Sequence, residues 1–256
     1  MKVWETTIMG KWKHVWITGA SSGLGEHAAR QLAEKGCHVS VTARSLDGLA
    51  ALAASSDNIS VFPGDVTNCD EMKKLVAEIE ASNGPIDMCL FSAGAAFPVK
   101  ATDLQPENFA RTFDVNVMGV VNCVDAVLPS MLARGKGHIS WIASVNGYGG
   151  IPRSAAYGAS KAALIHMAES LKLEWRAKGL KVSVINPGYV RTAMTANNKA
   201  PMPFLLEVED AASKMIAGLE KEKFEIYFPW QLAWILKILN LLPYPIYFSL
   251  MKRFFL

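Results

Sequence analysis

The chain predicts an α/β fold: a doubly wound parallel sheet, covered by helices on both faces, in a single domain. Three observations carry that expectation. Short β-rich runs alternate with longer segments of helical period; Gly19, Gly23 and Gly25 follow the first run directly; and 256 residues suit one large domain better than two small ones.

The first β-rich run, 14–18, leads through the glycines into a helix-period segment at 25–35. A second run at 38–42 precedes a helix at 46–54, and a third at 59–62 precedes one at 70–82. A fourth strand is expected at 86–91, then a long helical stretch at 106–133 and a strand at 138–143. The helix carrying Tyr157 and Lys161 follows, then a strand at 181–185. A variable loop at 193–206 leads to a helix opened by Glu207, Glu209 and Asp210, whose charges suit the positive end of a helix dipole. A last strand reads 224–228. With no repeat, low-complexity stretch or Pro/Ser-rich linker, 13–228 reads as the folded domain, 1–12 as an N-terminal extension and 229–256 as an apolar C-terminal tail.

Composition narrows the function. Net charge is +3, from 26 basic and 23 acidic residues spread without a basic run, so no nucleic-acid partner is expected. Cys37, Cys69, Cys89 and Cys123 fall singly, with no C-x-x-C and no ligand-spaced histidines. They read as small core residues of a reducing compartment, and no metal site is read. Residues 1–13 mix charges among apolar residues and lack the features of a secretory signal, so a cytoplasmic location is expected.

The glycines sit where backbone approaches a pyrophosphate at a helix N-terminus, although their G-x-x-x-G-x-G spacing departs from the common G-x-G-x-x-G. The bland alternative is a tight structural turn. The second strand ends Val41-Thr42-Ala43-Arg44-Ser45, with no carboxylate for a ribose hydroxyl and an arginine suited to a 2′-phosphate, which favours NADP over NAD. Ser22 and Ser45 add neutral donors.

Tyr157 and Lys161 are one helical turn apart and share a face. A cation beside a phenol favours the phenolate and lowers a pKa that is otherwise about 10, giving a usable proton donor near neutral pH. The same spacing also occurs on solvated helices, and its weight here comes from the glycine turn.

With these residues in hand, the chain resembles the short-chain dehydrogenase/reductase superfamily, in its single-domain branch, from about Lys13 to Phe228. The resemblance implies a Rossmann-type fold and a cofactor turn of Thr18, Gly19, Ser21, Ser22, Gly23, Leu24 and Gly25. It assigns Asp65 and Val66 to the adenine, and Ala93 and Gly94 to close backbone approach. Pro187, Gly188, Val190 and Thr192 would close over the nicotinamide. It further implies Ser144, Tyr157, Lys161 and Asn116 as the catalytic group: Tyr157 as general acid or base, Lys161 tuning it and holding the nicotinamide ribose, Ser144 bonding the substrate oxygen, and Asn116 positioning a water. One segment departs: Phe91-Ser92 stands where the family usually has two asparagines, so the polar anchoring made by the first cannot be made here. His166 reads as a packed helix residue, and the other histidines show no converging pattern.

The implied chemistry is hydride transfer between nicotinamide and a carbonyl or secondary alcohol; the alternative is a non-catalytic NADP-binding regulator or scaffold on the same fold. Ala95, Ala96, Phe97, Val145 and Tyr148, with Met194, Met202, Pro203, Phe204 and Leu205 in the loop, point to a hydrophobic or lipid-like substrate with no charged anchor. The tail's longest charge-free run, Ile238 to Met251, contains two prolines and falls short of the about 20 residues that span a bilayer. Two readings stay open for 229–256: peripheral contact with the inner face of a membrane, through apolar side chains and Lys237, Lys252 and Arg253, or a pocket cover or interface of a homodimer or homotetramer.

Overall fold

The computed structural model describes residues 11–196, 198 and 201–255, without the side chains of Phe254 and Phe255. Seven parallel strands form one sheet: β1 His14–Thr18, β2 His38–Thr42, β3 Ile59–Val61, β4 Met88–Phe91, β5 Gly137–Ile142, β6 Leu180–Pro187 and β7 Glu225–Phe228. Their spatial order is β3-β2-β1-β4-β5-β6-β7, so the winding reverses between β1 and β4. Ligands of doubly wound sheets bind at such a switch point, outside the carboxyl ends of the strands.

Strand alternation explains the two layers, because successive side chains point to opposite faces. Val15, Ile17, Val39, Val41, Met88 and Leu90 pack under α1 (Gly23–Glu34), α2 (Leu46–Ala53) and α7 (Val208–Glu220). Trp16, Cys89, Phe91, Ile139, Trp141 and Val184 pack under α3 (Cys69–Asn83), α5 (Gly119–Arg134) and α6 (Ala155–Arg176). Local chemistry starts the helices: Ser45 caps α2 by accepting from Gly48 N, and Asn68 caps α3 by accepting from Glu71 N. Glu209 and Asp210 open α7, and Gly84 ends α3 at φ +79°.

The expected 106–133 helix is continuous but not uniform. α4 (Pro106–Phe113) passes through a π-helical turn, Asp114–Met118, before α5. Beyond β7, the tail forms α8 (Trp230–Asn240) and α9 (Tyr244–Phe255). The buried face of α8, Leu232, Ala233 and Leu236, packs on Val145, Tyr148, Tyr189 and Tyr227.

Four readings change. Trp12, placed outside the domain by sequence, is buried and its ring lies 5.9 Å from that of His138. All four cysteines are free; Cys69 is half-buried at the start of α3, its Sγ 3.8 Å from Asp125 Oδ2, whereas the other three are buried. His166 lies on the solvent face of α6, its side chain 85% exposed. Parallel pairing of β1 with β2 sets His14 level with His38, their rings 5.5 Å apart, so two histidines do converge, at the sheet's N-terminal edge.

Candidate active site

The carboxyl ends of the central strands open onto a cavity of about 470 Å³. Gly19, Ser21, Ser22, Gly23 and Leu24 reach its wall after β1, Arg44 after β2, and Asp65 and Val66 after β3. Ala93 and Gly94 follow β4, Ser144 follows β5, Tyr157 comes from α6, and Pro187, Gly188, Val190 and Thr192 lie at and beyond the end of β6. Segments far apart in sequence thus meet at the switch point.

The glycine turn is dictated by space. Gly19 sits at φ +66°, and a Cβ there would lie 2.5 Å from the backbone N of Ala93. Only glycine lets the β1 turn press against the β4 turn in this way. Gly25 does not reach the wall; its Cα faces Gly19, and a Cβ would stand 2.5 Å from the Gly19 carbonyl oxygen. Ser22, the N-cap of α1, makes no side-chain cap, so the first amides of α1 are left for another acceptor. Arg44 lies beside the cavity with its side chain 75% exposed and its Nη1 4.0 Å from Asp65 Oδ2. This cradle, open helix N-terminus and exposed guanidinium fit a phosphorylated dinucleotide.

Phe91 explains the departure in the β4 segment. Its ring is buried edge-on against Trp16, with centroids 5.3 Å apart. Level with it across the sheet, the buried Thr18 Oγ1 has no hydrogen-bond partner. Phe91 thus meets β1 through an apolar contact.

Behind the wall lie Lys161 and Asn116. Lys161 is 4% exposed; its Nζ donates to the Ile142 carbonyl at 2.8 Å and sits 5.5 Å from the centroid of the Tyr157 ring. Burial pushes its pKa down to about 8. Burial likewise pushes the Tyr157 phenol up, while a hydrogen bond with Ser144 acts in the opposite direction. The net direction for Tyr157 is therefore upward, opposite to the lowering expected from Lys161. Asn116 sits on the π turn, where its Oδ1 accepts from Ala95 N (2.7 Å) and its Nδ2 donates to Ala95 O (2.9 Å) and Ser160 Oγ (2.9 Å). It clamps the β4 loop to α6, a role that the sequence reading did not include. Ser144 Oγ accepts from Asn146 N at 3.1 Å, and its hydroxyl reaches the Pro187 carbonyl only at 3.3 Å.

A family profile described as short chain dehydrogenase matches residues 13–203. An uncharacterized oxidoreductase from Myxococcus xanthus is 37% identical over 241 residues, covering 93% of this chain and 95% of the relative. The chain belongs to the short-chain dehydrogenase/reductase superfamily and is an oxidoreductase of that family. Solved relatives share its fold. A short chain dehydrogenase from Burkholderia cenocepacia in complex with NADP superimposes with a TM-score of 0.82 at 24% identity, covering 95% of this chain and 98% of that one. An actinorhodin polyketide ketoreductase with NADPH gives 0.78 at 26% identity, covering 86% and 97%.

This oxidoreductase has a second cavity, of about 340 Å³, that shares Ser144, Tyr157, Gly188, Met194 and Thr195 with the first. Ala96, Phe97, Val145 and Met194 line it as expected, and Ala95 lines the first cavity instead. Tyr148 turns away, donating to Glu225 Oε1 at 2.7 Å, while Met202 and Pro203 reach neither wall. Phe204 and Leu205 line a separate groove along β7. Sequence reasoning missed two residues here. Arg153, at φ +66°, is an exposed cation on the second wall, so a charged group is present after all. Thr195 Oγ1 donates to Val190 O at 2.7 Å and accepts from Thr192 N at 3.0 Å, tying down the loop after β6. The cavity-lining role of neither had a local signal.

Proposed function

We propose that this enzyme reduces an apolar ketone with NADPH, Tyr157 delivering the proton to the carbonyl oxygen. The observation that carries the reading is the shared wall: Ser144 and Tyr157 stand between a cavity that fits the dinucleotide and an adjoining, mainly apolar one. NADP is supported by Arg44 beside the first cavity and by the NADP and NADPH in the two solved relatives.

When bound, the dinucleotide supplies the hydride. The chain's own residues supply the rest. The phenol of Tyr157, its pKa raised, holds its proton at neutral pH, as a general acid must. Ser144, with its hydroxyl only loosely engaged, donates to the carbonyl oxygen as negative charge gathers there. Lys161 is fixed by Ile142, so its ammonium lies beneath the phenol and offsets the charge left when the proton departs. Asn116 keeps Ala95 and Ser160, and with them the floor of the site, in register.

The purified protein should oxidise NADPH in the presence of long-chain or cyclic ketones, and far more slowly with short polar ketones or sugars. Consumption of NADPH by none of the apolar ketones, or a preference for the polar ones, would overturn the reading.

A further inference from the structure

The tail helices carry a face that the protein itself leaves uncovered. On α8, Trp230, Trp234 and Ile238 repeat at the spacing of one helical stripe, opposite the buried Leu232, Ala233 and Leu236, and all three are exposed. Leu241, just beyond, is 83% exposed. On α9, Tyr244, Phe248 and Lys252 form a second exposed stripe, while Tyr247 and Met251 are buried. Tyr244 and Phe248 stack with centroids 5.6 Å apart. Large apolar side chains exposed along one stripe of each helix mark surfaces that meet something other than water.

Charge says what that is. From Ile226 to Leu256 the sequence has no acidic side chain. Lys237 turns inward to Glu225, with its ammonium over the rings of Tyr148 and Tyr227, which leaves Lys252 and Arg253 as the exposed cations. Tryptophan and tyrosine suit the headgroup boundary, and cations attract anionic headgroups. At 11 and 12 residues, α8 and α9 are too short to cross a bilayer and long enough to lie on one.

We propose that α8 and α9 dock this enzyme on the surface of an anionic phospholipid bilayer, with Trp230, Trp234, Ile238, Tyr244 and Phe248 in the headgroup boundary and Lys252 and Arg253 on the phosphates. The docked helices sit against the substrate side. The Tyr247 hydroxyl donates to the Gly150 carbonyl at 2.7 Å, and α8 packs on Val145 and Tyr189, which line the second cavity. The docked α8 therefore stands between the bilayer and the second cavity. The docking does not depend on the reaction proposed above and is read separately from it.

The test is sedimentation of the full chain with phosphatidylcholine vesicles, with and without phosphatidylglycerol, at low and high salt. The wild type should pellet with the anionic vesicles and less so in high salt. Trp234→Glu/Ile238→Glu should abolish pelleting, while Lys252→Glu/Arg253→Glu should weaken it, each lost cation costing on the order of fivefold in affinity. Both variants should keep their NADPH affinity and solution mass. Absence of pelleting by the wild type, or pelleting unchanged in both variants, overturns the proposal. So does a wild-type dimer that Trp234→Glu/Ile238→Glu converts to monomer, since a second copy would then cover the face.

Discussion

At the scale of single residues, burial decides the electrostatics. A lysine one turn from a tyrosine predicts a lowered phenol pKa, yet Lys161 is itself buried and spends its Nζ on the Ile142 carbonyl. Desolvation disfavours both charged forms, so the ammonium is pushed down to about 8 and the phenol up. That leaves Tyr157 protonated at neutral pH, as the proposed ketone reduction requires. Arg44 is the opposite case, an exposed charge with only a 4.0 Å contact to Asp65 and hence free to meet a phosphate. Arg44→Ala should weaken NADPH binding by about ten- to a hundredfold, the worth of a hydrogen bond to a charged group, and leave NADH binding nearly unchanged. Calorimetric titration of both nucleotides checks this, and an equal loss for both would remove Arg44 from phosphate recognition.

At the scale of elements, strand pairing brings polar groups together in the core. Ser183 Oγ in β6 donates to the Lys223 carbonyl at 2.7 Å, so it receives its bond from His138 Nε2 in β5 at 2.8 Å. His138 Nδ1 then has no partner, and burial pushes the pKa down to about 4. Because the folded value lies below the unfolded 6.5, the native state binds fewer protons than the unfolded chain; stability is complete above pH 6.5 and is lost as pH falls towards about 4. The loss from His138 should reach about 3 kcal/mol, and His138→Gln should flatten the fall in Tm over that window. An equally steep fall in the variant would place the acid sensitivity elsewhere. The strands themselves were legible in sequence, since period-two runs such as Val39 and Val41 define their own faces. The clamp made by the Asn116 side chain was not, because its partners Ala95 and Ser160 come from other elements. Nor was the second cavity's wall, for Arg153 and Thr195 acquire their neighbours only when the loops after β5 and β6 close over one another.

At the scale of the whole molecule, the order of the sheet makes the site. With the winding reversed between β1 and β4, the glycine turn, the Phe91–Gly94 segment and the ends of β5 and β6 face one crevice. The cofactor motifs could be read along the chain because each follows a strand, and Tyr157 and Lys161 because they share one face of α6. The substrate side could not, because it is built by packing: α8 lies behind Val145 and Tyr189, and Phe204 and Leu205 face β7 instead. Among the described residues, the Pro106–Arg134 run is long and apolar enough to cross a membrane, but its Val120, Cys123, Val127 and Met131 pack against the sheet. The proposed reaction rests on Tyr157 as the proton donor between two cavities. The measurement that tests this most directly compares Tyr157→Phe with the wild type, in NADPH affinity and in kcat for an apolar ketone that the wild type reduces. Loss of kcat by about two to four orders of magnitude, with NADPH affinity held within about twofold, is the predicted result. A variant that turns over at the wild-type rate would contradict it.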